Sequence, residues 1–260
     1  MVVNIYRGKE GEGLSKQALL FYGGWNGHDP ELVAKRFRGI LEREGFDVKS
    51  VGCTDGLPEL DRAIEEEGLE GFDLIVPVVT GGDLSRDASR AIARAVAEGA
   101  GIAGCHGGMC DSFRNDTEWQ FMTGGQWVSH PGGDGVEYTV NVLRGSSPLI
   151  EGIEDFKVRS EQYYLHVDPA IEVLATTRFP LVSYFHASNK PVDMPVVWTK
   201  YWGVGRVYYC SLGHRDTVFE ESPMAEELMR RGMVWAAEGK AAARARNWSA
   251  EQYMNNAKMY

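Results

Sequence analysis

Hydrophobic positions in the first part of the chain follow two rhythms. Continuous apolar runs over residues 17–22, 46–51, 73–79 and 101–105 read as short buried strands. Between them, residues 30–44, 57–67 and 84–98 carry apolar side chains at helical spacing. The last of these places Ala88, Ile92, Ala95 and Val96 on one face. Asp29 and Pro30 suit the N-cap and first-turn positions of the first helix, and Gly45 ends it. Apolar strands alternating with helices predict a parallel sheet covered on both faces. Ligands of such sheets sit beyond the carboxyl ends of the strands. The loops there, residues 23–29, 80–83 and 105–111, are all glycine-rich.

After residue 135 the pattern changes. Residues 136–143 alternate as a half-exposed strand, and residues 156–164, 172–178, 195–202 and 206–212 read as further strands. The run YWGVGR over residues 201–206 reads as a tight glycine hairpin turn. Residues 222–237 form a last helix with Met224, Leu228, Val234 and Trp235 on its apolar side. The fold class is therefore α/β, a mainly parallel sheet with added antiparallel strands. There is no linker and no internal repeat, so one domain over residues 17–238 is expected. A segment over residues 1–16 precedes it, and a polar tail over residues 239–260 follows. The tail's spread aromatics, Trp248, Tyr253 and Tyr260, suit either a loosely packed surface segment or an arm on a neighbouring subunit. The arm reading implies a homo-oligomer.

Composition narrows the partners. A net charge of -10 disfavours nucleic acid and anionic membrane surfaces. No apolar run approaches the roughly 18 residues that span a bilayer. The first residues lack a basic start and a long apolar stretch, so the expected location is the cytoplasm. The four cysteines are scattered, with no CxxC pair to suggest a structural zinc cluster.

The chemistry centres on Gly104-Cys105-His106-Gly107-Gly108, which follows a strand. A strand followed by Gly-x-X-x-Gly is an elbow turn that thrusts its central side chain into a pocket. His106 at the apex has Gly104 and Gly108 as flanks, whereas Cys105 at the apex would have Ala103 and Gly107. The first frame fits the glycines better. His214, at the end of the strand over residues 206–212, lies two residues before Asp216, a spacing that could orient an imidazole for base work. Glu161 stands among aromatic residues that include Tyr163, and burial there would raise its pKa. It could equally be a salt-bridged structural residue. His28 and Trp25 lie at the end of the first strand. Gln126, Trp127 and His130 form a polar-aromatic cluster suited to a sugar face, although a tryptophan is more often core.

The runs GCHGG, GGQWVSHPGG, SEQYYLHVDP, MPVVWTKYWGVGRVYY and SLGH, in that order, resemble the ThuA-like (trehalose-utilisation) proteins over roughly residues 17–238. The resemblance implies a flavodoxin-like three-layer sandwich similar to class I glutamine amidotransferases. It implies His106 where those enzymes carry an elbow cysteine, a Glu-x-Tyr element on Glu161 and Tyr163, and a strand-end Gly-His on Gly213 and His214. It also implies a small carbohydrate as partner, a disaccharide such as trehalose or a 3-keto derivative. Three functional readings follow. In the first, a 3-keto-glycoside hydrolase or sugar isomerase uses His106, His214 and Glu161 as acid, base and ligand. The same three residues could hold a divalent metal such as zinc, and His28, Trp25, Gln126, Trp127, His130 and Tyr163 would bind substrate. In the second, Cys105, His214 and Asp216 form a thiol amidohydrolase. In the third, the chain is a non-catalytic sugar-binding protein on the same scaffold.

Overall fold

The computed structural model describes residues 15–254 of the chain. The first half alternates as expected: β1 (Lys16–Gly24), α1 (Pro30–Arg43), β2 (Phe46–Gly52), α2 (Pro58–Glu67), β3 (Leu74–Thr80), α3 (Arg86–Ala97) and β4 (Gly101–Cys105). Two short helices follow, α4 (Gly107–Cys110) and α5 (Thr117–Thr123). The second half is richer in strands: β5 (Gly125–Ser129), β6 (Val136–Val142), β7 (Phe156–Ser160), β8 (Tyr164–Val167), β9 (Glu172–Phe179), β10 (Val182–Ser183), β11 (His186–Ala187), β12 (Val192–Trp202) and β13 (Gly205–Cys210). Helices α6 (Asp216–Glu221), α7 (Pro223–Ala237), α8 (Gly239–Ala245) and α9 (Glu251–Met254) close the described chain.

Nine strands make one sheet in the order β2-β1-β3-β4-β13-β12-β9-β6-β7. Strands β2, β1, β3, β4 and β13 pair in parallel, and the remainder add in antiparallel fashion from β12 outward. Alternation along β1 sends Ala18 and Leu20 into one core and Leu19 and Phe21 into the other. The first core lies under α1, α6 and α7, and the second under α2, α3 and α5. The result is the expected three-layer α/β sandwich. No helix of the described residues is long and apolar enough to cross a membrane.

The structure departs from the sequence expectations at four places. The strand expected over residues 156–164 is broken: β7 ends at Ser160, and the chain leaves the sheet before Tyr164 begins a new pairing with β5. Strand β12 starts at Val192, ahead of Pro195, and its register with β9 shifts between Pro195 and Val197 because proline has no N–H to give the ladder. Asp29 sits at the N-cap of α1 but does not cap it. Its left-handed backbone (φ 47°, ψ 47°) differs from the extended geometry of a capping residue, and its side chain makes no cap bond. The described part of the tail is largely helical and not a loose segment. In α8 Ala243 is buried, and Lys240 donates through Nζ to the carbonyls of Glu70 at 2.8 Å and of Phe72. The tail thus folds back on its own domain this far; the last aromatic, Tyr260, lies outside the described residues.

Candidate active site

Strand β4 is buried along its whole length and ends at Cys105. The chain then turns so sharply that α4 begins two residues later. The apex is His106, with φ 45° and ψ -133°. Such a backbone costs a non-glycine residue about 1–3 kcal/mol and persists only where its surroundings over-determine it. Here they do. The His106 N–H donates to the Cys210 carbonyl at 2.8 Å, and the His106 carbonyl accepts from the Tyr209 hydroxyl at 3.0 Å. The Tyr163 ring stacks on the imidazole with centroids 3.8 Å apart.

Three further side chains reach the same point from other strand ends. His28 follows β1 in a short 3-10 turn, and its Nδ1 lies 2.7 Å from Thr80 Oγ1 at the end of β3. His214 follows β13. Glu161 arrives from the break between β7 and β8, so the interruption of that strand delivers the carboxylate. Glu161 Oε2 lies 3.2 Å from His106 Nε2, 3.3 Å from His214 Nδ1 and 3.8 Å from His28 Nε2. One donor atom from each of the four residues falls within 4.8 Å of every other. All four residues are buried, His106 to 1%, His214 to 2% and Glu161 to 4% exposure.

The hydrogen-bond chemistry of His106 is decisive. Its Nδ1 is 2.8 Å from the Ser211 carbonyl, which can only accept, so Nδ1 carries a proton and donates it there. Burial pushes the imidazole down to about 4, although the negative charge of Glu161 pulls the other way, so the ring is neutral near pH 7. Its Nε2 is then a bare lone pair. Burial alone would push the Glu161 carboxyl up, but its close contacts with His130, His214 and His28 outweigh that and hold it well below the usual carboxylate range. A bare nitrogen thus faces an ionised oxygen at 3.2 Å, and a cation between them would satisfy both. His214 adds to this demand: neither ring nitrogen has a hydrogen-bond partner among the described residues. Its Nε2 lies 3.5 Å from Asp134 Oδ2. Two of the imidazoles, His106 and His28, have their outward nitrogens held by Ser211 and Thr80, which matches the outer support of metal-ligating histidines.

A pocket of about 420 Å³ opens over this cluster, lined by Trp25, His28, Thr80, Asp111, Arg114, Trp127, His130, Glu161 and Tyr163 among others. His130 stands on its wall with Nδ1 2.9 Å from Glu161 Oε1, but the two are not aligned as a hydrogen bond. Arg114 grips Asp111 with two hydrogen bonds, at 2.6 and 2.9 Å, and lies 4.6 Å over the Trp127 ring. Trp25 is exposed at the mouth.

Of the residues expected from the sequence, His106, His214, Glu161, His28, His130, Tyr163, Trp25 and Trp127 come together. Gln126 does not. Alternation along β5 turns Trp127 to the pocket and leaves Gln126 off it, its Nε2 bonded to the Trp127 carbonyl. Asp216 is also elsewhere: its carboxylate accepts two hydrogen bonds from Arg36 of α1, at 2.5 and 2.8 Å, and orients no histidine. Cys105 points into the core below the sheet, where burial raises its thiol well above the ordinary range. The thiol-amidohydrolase geometry is therefore absent. Iodoacetamide at neutral pH is expected to leave Cys105 unmodified in the folded protein; rapid alkylation seen by peptide mass mapping would contradict this placement. Sequence reading missed Thr80, Asp111, Arg114 and Asp134. Thr80 ends a buried strand in a glycine-rich loop, a position that could have flagged it.

A doubly covered α/β sheet that gathers an elbow histidine, two further histidines and a carboxylate at its strand ends defines the class of this protein. Residues 17–236 match the model of the ThuA family, described as trehalose utilisation, and the chain belongs to that family. Among solved structures it is similar to a putative ThuA-like protein from Parabacteroides merdae ATCC 43184 (21% identity, TM-score 0.67, covering 87% of this chain and 91% of that one). It is similar as well to one from Bacteroides uniformis ATCC 8492 (19% identity, TM-score 0.67, covering 89% and 95%). A third likeness is to a cytoplasmic protein of Salmonella typhimurium LT2 (13% identity, TM-score 0.57, covering 86% and 98%). No curated protein matches.

Proposed function

We propose that the protein is a metal-dependent enzyme acting on a small carbohydrate, with a keto-sugar derivative as the substrate class. The observation that carries this reading is the bare His106 Nε2 facing the ionised Glu161 Oε2 at 3.2 Å, with His28 and His214 completing the set. Three imidazoles and one carboxylate form a donor set suited to a divalent ion such as zinc. Such an ion polarises a sugar carbonyl or activates water. The protein's own part is positional. His28, His106, His214 and Glu161 hold the ion. His130, on the pocket wall beside Glu161, exchanges a proton with the substrate. Trp25 and Trp127 offer ring faces to the apolar face of a sugar, while buried Tyr163 backs the His106 imidazole.

The test combines composition with turnover. Metal analysis of the purified protein is expected to find about one divalent ion per chain. Chelation is expected to lower the melting temperature, because an ion bound only by the native state stabilises it. It is also expected to abolish turnover of 3-keto-trehalose and related 3-keto glycosides, with recovery on adding zinc back. A metal-free protein whose melting chelator and zinc leave unmoved would refute the proposal.

A further inference from the structure

A second groove lies beside the pocket. Its volume is about 520 Å³, and its charged and polar lining comes from Asp83, Arg86, Ser89, Arg90, Asp116 and Glu118. The two cavities share a boundary. Asn115 borders both, and Gly82 of the first is followed in the chain by Asp83 of the second. Across that boundary Asn115 Nδ2 donates to Asp83 Oδ1 at 3.5 Å. Both side chains are exposed, so this contact at the boundary is a long hydrogen bond at the surface. Both cavities stand at the carboxyl ends of β3 and β4, where this fold places ligands. Each alone falls within the roughly 300–1,000 Å³ of small-molecule sites. A single sugar ring over Glu161 leaves the second groove unexplained.

We infer that this groove holds the second ring of a disaccharide whose first ring occupies the pocket over Glu161, an inference that rests on the carbohydrate reading above. Its chemistry is that of a polyol site. Among the described residues the guanidiniums of Arg86 and Arg90 have no ion-pair partner and remain free to donate. The carboxylates of Asp83 and Glu118 accept. Sugar hydroxyls both donate and accept, so a lining of mixed sign suits a pair of neighbouring hydroxyls. The three carboxylates of Asp83, Asp116 and Glu118 set against two guanidiniums repel a phosphate and favour a neutral ring. Buried Phe113 adds an apolar floor. Asp116 is itself fixed, accepting from Ser89 Oγ at 2.5 Å and from the Trp119 N–H at 3.0 Å, so that side of the groove is rigid.

Calorimetric titration of the full chain with 3-keto-trehalose and with methyl 3-keto-glucoside tests this. The wild-type protein is expected to bind the disaccharide at least about tenfold more tightly. The double variant D83A/R86A is expected to lose that advantage while binding the methyl glycoside as wild type does. Both side chains are exposed, and an unchanged melting curve verifies the fold. Equal wild-type affinities, or a variant that weakens both ligands alike, overturn the groove assignment and leave the carbohydrate reading standing. Binding of neither ligand overturns both.

Discussion

Glu161→Gln is expected to leave the protein folded while stripping it of metal and activity. The argument turns on what the carboxylate does in the absence of an ion. Glu161 Oε2 sits 3.2 Å from the bare Nε2 of a neutral His106, an acceptor facing an acceptor. A glutamine amide placed there donates to that lone pair, so the metal-free fold gains a hydrogen bond where it had a repulsion. The variant should therefore melt close to chelated wild type. Metal affinity should fall by more than the ~10–100-fold that loss of an outer supporting partner costs, because a charged ligand itself has gone. A different role for Glu161 predicts the reverse. If the carboxylate were the counter-ion of buried imidazolium rings, its removal would cost about 3–5 kcal/mol. In a chain of this size that lowers the melting temperature by roughly 6–20 °C. Comparison of chelated wild type and variant by calorimetry, with competitive metal titration on both, separates the two. A large drop in melting temperature with metal affinity intact would show the carboxylate to be structural.

Gly107→Ala is the second large effect, and it acts at one remove. A Cβ at Gly107 would stand 2.6 Å from His28 Nδ1 and 2.7 Å from Thr80 Oγ1. Neither distance is tolerable for a methyl group. The backbone itself raises no objection, since Gly107 opens α4 and alanine is the better helix former by about 1 kcal/mol. The strain therefore falls on the buried His28–Thr80 hydrogen bond, whose loss costs about 1–3 kcal/mol. With that bond gone the imidazole of His28 is no longer aimed at Glu161. Metal affinity should drop by roughly 10–100-fold, and turnover with it, while the melting temperature of the chelated protein moves only a few degrees. Wild-type metal affinity in the alanine variant would mean that His28 is no part of the ligand set.

The legible part of the site was its scaffold. Strands β1, β3 and β4 announced themselves as apolar runs, and glycines marked the loops at their ends, because both signals are local. The elbow was legible for the same reason: glycine spacing around His106 decided between two adjacent residues before any fold was known. Glu161 itself is legible in the sequence, but its setting is not. It stood inside an expected strand, whereas the strand breaks there because residues 164–167 leave the sheet to pair with β5, roughly forty positions earlier in the chain. Gln126 and Trp127 were both legible as candidates, and strand alternation in the fold turns only Trp127 to the pocket. The His-x-Asp spacing at His214 and Asp216 suggested a dyad, but Arg36, far away in sequence, claims Asp216 with two hydrogen bonds.

The sequence by itself determined the layered α/β scaffold, the end of the sheet where chemistry would gather and the histidine at the elbow. Periodicity and turn chemistry are properties of neighbouring residues, and a single chain displays them in full. Only the tertiary structure decided that His28, His106, Glu161 and His214 form one donor set, and that Asp216 and Cys105 stand outside it. Those outcomes depend on which strand ends are brought side by side, and on single ångströms between side chains tens to hundreds of residues apart. Even the protonation of His106 was decided that way, by the carbonyl of Ser211 lying against Nδ1 and leaving Nε2 bare toward Glu161.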